Sequence, residues 1–153
     1  MKRLHEILST VTTLGLLQMT GVAVADAPAH STVGAGGYDL VSYHTGKKPL
    51  RGNGNHVVRH EGVTYLFASA DHRDAFEAAP EKYLPAYGGY CAFGAALGKK
   101  FVGDPDVWRI VDGRLYLNLD SDIQIKWAQD IPGNIRKANA RWESIRDRAP
   151  STL

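Results

Sequence analysis

Apolar and polar positions after residue 55 fall into two hairpin patterns followed or framed by helical ones. Val63, Tyr65 and Phe67 alternate with Thr64, Leu66 and Ala68, the two-residue period of a strand with both faces partly apolar. Residues 56–60 precede them across Glu61-Gly62-Val63, where glycine supplies the positive φ of a tight turn. A second pair, 107–111 and 115–118, flanks Asp112-Gly113, a strong two-residue turn signal. Asp104-Pro105-Asp106 reads as a turn before that strand, and residues 47–55, with Pro49, Gly52 and Gly54, read as loop. Residues 38–43 are a short apolar segment, either strand or one helical turn.

The helical signals are local. Ser69 stands where an N-cap belongs and Asp71 puts negative charge in the first turn of a helix running to about Ala79, with Phe76 as its anchor. Pro80 stops that helix and opens one more turn with Glu81, Lys82 and Tyr83. Small residues at 92, 94, 95 and 96 predict a tightly packed short helix starting near Tyr90. Asp120, Ser121 and Asp122 cap a helix to about Gln129, and Pro132 can open the next. In that last helix Ile135, Ala138, Trp142 and Ile145 form one apolar stripe. Two hairpins and several helices without a βαβ pattern predict an α+β fold: a small antiparallel sheet from two hairpins, covered by short helices and a C-terminal helix.

The first 25 residues carry the layout of a secretory signal peptide. Lys2, Arg3 and His5 are basic, residues 7–24 are mostly apolar or hydroxylated, and Ala23-Val24-Ala25 is a small-residue cleavage site. Ser9, Thr10, Thr12, Thr13, Gln18 and Thr20 interrupt the stretch too often for a membrane span, so no stable anchor is expected after cleavage. The expected organisation is signal peptide 1–25, flexible leader 26–36, one domain 37–147 and a tail 148–153, in a periplasmic or secreted protein. Composition adds little to this. Net charge is +2, from 18 Lys+Arg against 16 Asp+Glu, which gives no reason to expect nucleic acid as a partner. One cysteine excludes both an internal disulfide and a Cys-rich zinc site.

Chemistry is concentrated in few side chains. Cys91 follows Gly88-Gly89 and sits near a helix start, where free N–H groups stabilise a thiolate; the alternative is a buried, inert small hydrophobe. Beyond the leader's His30, the histidines are His44, His56, His60 and His72. His56 and His60 share a strand face about 13 Å apart, too far for one metal ion, and read as a solvated strand edge. Asp39, Asp104 and Asp106 are candidate carboxylates that nothing pairs at a readable spacing. The tyrosines at 38, 43, 65, 83, 87 and 90 read as core edges with paired hydroxyls. No phosphate loop, nucleotide fingerprint or Ser-His-Asp arrangement is present.

Gly37-Tyr38-Asp39-Leu40-Val41-Ser42-Tyr43, Tyr65-Leu66-Phe67-Ala68-Ser69, Phe76 and Pro80-Glu81-Lys82-Tyr83 together resemble a YHS domain. With Gly88-Gly89-Tyr90-Cys91-Ala92 and Ile131-Pro132-Gly133, the pattern resembles the exported bacterial YHS-domain proteins of unknown function, over about residues 35–146. Some members of that group carry selenocysteine at the position matching Cys91. The wider YHS group is similar to small metal-binding modules with cysteines near the first motif and in a Cys-Ser-x-x-Cys stretch. Here Ala68 and His72 stand at the two cysteines of that stretch, and the first motif has none. The resemblance implies a non-catalytic module for a transition-metal ion or another small ligand. Cys91, His72 and His44 would hold copper or zinc if the fold brings them together. It also leaves open a thiol-redox role for Cys91, resolved by an external thiol partner, and a structural or interaction module in which Cys91 is inert.

Overall fold

Each hairpin is closed by two successive residues in the left-handed region: Glu61 and Gly62 (φ 48° and 78°) in the first, Asp112 and Gly113 (φ 50° and 76°) in the second. That geometry matches the twist of the flanking strands. The computed structural model describes residues 32–45 and 48–153; the expected signal peptide with its expected cleavage site, and the expected leader through residue 31, lie outside the described residues. Strands β1 (Asn53–His60) and β2 (Val63–Phe67) pair antiparallel, as do β3 (Asp104–Val111) and β4 (Arg114–Asn118). Helices α1 (Ala70–Ala78) and α2 (Pro80–Tyr83) follow the first hairpin, α3 (Ala92–Ala96) precedes the second, and α4 (Ser121–Ala128) and α5 (Ile131–Ile145) follow it. The fold is α+β.

The hairpins form two separate two-stranded sheets and do not join into the single small sheet expected. Both strands β1 and β3 also begin earlier than their sequence suggests. The turn-forming residues at their starts are used for a break in register, between Asn53 and Val57 and between Asp104 and Trp108. The Asn53 side chain accepts the N–H of Asn55 (2.9 Å), and Asp104 accepts that of Asp106 (2.8 Å). Side-chain-to-backbone bonds of this kind bend a strand locally without ending it.

The helix starts follow their caps. Ser69 Oγ accepts the N–H of His72, Asp120 Oδ1 that of Ile123, and Asp130 Oδ1 that of Gly133. A Cβ at Gly133 would overlap the Asp130 carboxylate, so a larger residue there would have to displace the cap. The short helix α3 starts at Ala92, two residues later than expected, with Cys91 as its N-cap.

Hydrophobic packing divides into two clusters. The first gathers Leu40, Tyr43, Phe67, Phe76, Tyr83, Leu115 and Leu117; the second gathers Ala86, Tyr87, Ala92, Ala95, Ala96, Tyr116, Trp127 and Ala138. Alanines on α3 face the stripe of α5, where Ala138 and Ile145 are buried and Ile135 and Trp142 half-buried. Both ends of the expected domain extend. Thr64 donates its N–H to Thr32 O (2.8 Å), so Thr32–Gly36, expected as leader, pack on β2. At the other end Lys100, 9% exposed, donates through Nζ to the carbonyls of Arg146 (2.6 Å) and Arg148 (2.7 Å). Arg146 is the C-cap of α5 and Arg148 lies just beyond it, so the ammonium fastens the chain where the helix ends and its carbonyls lack intrahelical partners. The Lys100 charge also lies over the rings of Tyr90 and Trp142.

Replacing Lys100 with methionine keeps the apolar stem and removes the donors. We expect a loss of about 1–3 kcal/mol in urea unfolding, with faster amide exchange in the last turn of α5. A loss below about 0.5 kcal/mol would remove Lys100 as the fastening of that helix end.

Candidate functional site

The site begins with a tight left-handed passage. Ala35, Gly36 and Gly37 have φ of 48°, 59° and 83° and turn the chain so that Tyr38 pairs with Arg51. The Asp39 N–H then donates to Leu50 O (2.9 Å), and the Asp39 side chain points into the interior, where it is 0% exposed. There Oδ1 accepts the N–H groups of Val41 (2.9 Å) and Ser42 (3.2 Å). Oδ2 accepts the N–H of Ala68 (2.9 Å) and lies 2.6 Å from Nδ1 of His72. Both oxygens face N–H donors, so Nδ1 of His72 is assigned as a donor as well.

His72 sits in the first turn of α1, fixed at its own N–H by Ser69. Its side chain is 25% exposed. Nδ1 on a buried carboxylate fixes the ring's orientation and leaves Nε2 as the free nitrogen. Carboxylate–imidazole pairs of this form hold a metal-binding histidine and raise its basicity as a ligand.

The other two expected donors have different supports. The His44 ring stands edge-on to Tyr83 at 5.3 Å and lines an open pocket of about 570 Å³ with Tyr43, Trp108 and Ile110. Its buried Nε2 has no hydrogen-bond partner, and burial, with Lys82 nearby, lowers its pKa below the usual 6.5. Cys91 is 1% exposed. Its Sγ accepts the N–H of Gly94 at 3.3 Å and lies 3.8 Å from Asn118 Oδ1. Asn118 is itself fully buried, with Nδ2 unpartnered. Cys91, His72 and His44 therefore do not form the expected shared centre. No group of three His, Cys, Asp or Glu side chains able to hold a metal ion occurs among the described residues.

Two further readings change. His56 and His60 do share a face of β1, but that face is half-buried. His60 stands edge-on to Phe76 at 6.1 Å and reaches Glu81 at 3.9 Å, and His56 Nδ1 is buried without a partner. Both are half-buried, with His60 packed on Phe76 of α1, and do not form a solvated edge. Asp39, expected without a partner, has its partner 33 residues away. The spacing Ser69-x-x-His72 was the available signal, since a cap places the third residue on a fixed face of the first turn. Of the six tyrosines, Tyr38, Tyr43 and Tyr87 have paired hydroxyls as expected. Tyr38 donates to Asp106 Oδ2 (2.7 Å), Tyr43 to Pro105 O (2.8 Å) and Tyr87 to Asn139 Oδ1 (2.9 Å). Burial pushes Tyr43 well above its usual range and Tyr87 up to about 12.

Comparison of the chain with protein-family models, with characterised proteins and with solved structures gave no match.

Two outcomes follow from this geometry. Asp39→Ala removes the acceptor of the Val41 and Ala68 N–H groups, while Ser42 keeps its bond to the backbone carbonyl of residue 39, so it should destabilise by about 2–4 kcal/mol in urea unfolding. His72→Ala leaves those bonds intact and should destabilise far less; equal losses would show that Asp39 is not the anchor. The second outcome concerns acid. A histidine whose folded-state pKa is depressed stabilises the fold fully above its unfolded value of 6.5, and that contribution disappears as pH falls through 6.5 toward the lower folded value. His44→Phe keeps the ring contact with Tyr83 and removes the titration. Its melting temperature should fall less than wild type between pH 7.5 and 5.5, and an unchanged pH slope would exclude His44 as a contributor.

Proposed function

We propose that the mature chain is an exported, YHS-type binding module, periplasmic or secreted, that holds a transition-metal ion such as copper or zinc, or another small ligand, without catalysing a reaction. The observation that carries this reading is the Asp39–His72 pair: a fully buried carboxylate, accepting three backbone N–H groups, aims one partly exposed imidazole. A side chain fixed in this way is pre-organised to donate Nε2, and less freedom is lost when a ligand binds. His44, with its buried unpartnered nitrogen, is a separate imidazole on the same half of the chain.

The burial of Cys91 supports a capping and packing role over thiol redox chemistry, because an attacking thiolate needs access as well as charge. Nothing in the charge balance favours nucleic acid. Among the described residues no helix is long and apolar enough to cross a membrane.

The reading is tested on residues 26–153 by titration with Cu(I) under anaerobic conditions and with Zn(II), in wild type, His72→Ala and Asp39→Asn. Binding tighter than millimolar is expected for at least one ion. It should be lost in His72→Ala and weakened about 10–100-fold in Asp39→Asn. Millimolar affinity for both ions, or affinity indifferent to His72, would overturn metal binding at this site.

A further inference from the structure

The two halves of the chain repeat one another element by element. In the hairpins, Asn53, Val57, Val58, Arg59 and His60 pair with Phe67, Leu66, Tyr65, Thr64 and Val63. Moving every one of these positions forward by 51 residues reproduces the register of the second hairpin, from Asp104 opposite Asn118 to Val111 opposite Arg114. The interruption falls at the same place in both. The correspondence continues outward. Ser69 and Asp120 cap α1 and α4, and Phe76 and Trp127 are the wholly buried anchors of those helices. Upstream, Ala35-Gly36-Gly37 (φ 48°, 59°, 83°) matches Tyr87-Gly88-Gly89 (φ 56°, 61°, 83°). The bridge Tyr38–Arg51 matches Tyr90–Val102, and the bond from Gly52 N–H to Gly37 O (2.9 Å) matches that from Gly103 to Gly89 (3.1 Å). The loop after the first tyrosine is one residue longer in the first half. Gly-Gly-Tyr, Gly-Lys-Lys and Tyr-Leu recur at corresponding positions of the sequence.

We infer that the chain is a tandem duplication of one unit, and that the second unit keeps the architecture of the Asp39–His72 site with Cys91 and Ile123 in place of the carboxylate and the imidazole. Asp39 and Cys91 each follow the Gly-Gly-Tyr passage and donate a backbone N–H to the strand-side carbonyl, Leu50 O at 2.9 Å and Phe101 O at 2.8 Å. Each side chain accepts the N–H three residues on, from Ser42 and from Gly94. His72 and Ile123 each donate their own N–H to the helix cap. Cys91 is thus the capping counterpart of Asp39, and the second unit is a latent imidazole–carboxylate site for a metal ion. Asn118, which replaces Phe67, brings an unpartnered amide beside the sulfur that a carboxylate at 91 could accept from once the amide is turned.

The metal part of this inference rests on the proposed function; the architectural part does not, and the test separates them. In Cys91→Asp/Ile123→His, ¹⁵N NMR should show the introduced imidazole in the same tautomer as His72, protonated at Nδ1, and Zn(II) titration should show one added equivalent that persists when His72→Ala is included. The matching tautomer without zinc uptake by any variant would uphold the duplication of the site and overturn the metal reading alone. An introduced imidazole with the opposite tautomer or free rotation would overturn the inference. Should the double variant fail to fold, Cys91→Asp alone decides: retained protection of the Gly94 amide supports the counterpart, and its loss overturns it.

Discussion

A carboxylate with no solvent exposure is the constraint on which the first half of this molecule depends. Burying Asp39 without donors would be strongly unfavourable, and the fold supplies four: Val41 and Ser42 from its own turn, Ala68 from the end of β2 and His72 from α1. The turn that follows Asp39 and the β2–α1 junction, 29 to 33 residues on, are thereby held to one side chain. The carboxylate is fully satisfied inside, and the imidazole it orients stays partly exposed. The same hydrogen bonds that make the charge tolerable therefore also aim His72.

Below that shared plan the two units diverge in how they fill their cores. The first uses rings: Tyr65, Phe67 and Tyr83 surround Phe76, at 5.1, 5.0 and 6.5 Å. In the second, alanines on α3 leave room for a whole helix, and α5 lies where the first unit has only the four residues of α2. The added helix brings its own C-terminal carbonyls, which have no partner within the helix. Lys100 meets them from the loop that follows α3, whereas Lys48, at the corresponding position of the first unit, is exposed. The extra helix and the buried lysine are two parts of one change.

Much of the fold was legible because its determinants are local. Ser69, Asp120, Pro80 and the two Glu/Asp-Gly turns act within four residues, and each produced the element read from it. The starts of β1 and β3 were misread for the same reason: Asn53 and Asp104 carry a turn signal that the strands use for a bend. Sheet association was not legible, since nothing in either hairpin records whether its edge meets the other. The site was half legible. His72 stood out by type and position, but its partner depends on a left-handed passage, a strand end and a helix cap converging, which no spacing encodes.

The duplication escaped the sequence because so few identities carry it. Glycine recurs at the more strongly left-handed positions and at a close approach: Gly36-Gly37 and Gly88-Gly89, Gly62 and Gly113, and Gly52 and Gly103, where a Cβ would strike Leu66 or Leu117; the first left-handed residue of each passage differs, Ala35 against Tyr87 and Glu61 against Asp112. Where a side chain only has to be buried, residues do not match: Phe67 against Asn118 and Phe76 against Trp127. Backbone geometry admits few residues, while a core admits any set of similar total volume. Asp39 and Cys91 fall between these cases. Capping a first turn requires only an acceptor, which both side chains provide, whereas ordering a histidine requires a second one on the far side. A thiol can meet the first demand alone. The exchange of carboxylate for sulfur therefore keeps the turn and gives up the imidazole, and it leaves at position 91 a buried cysteine that caps the start of α3.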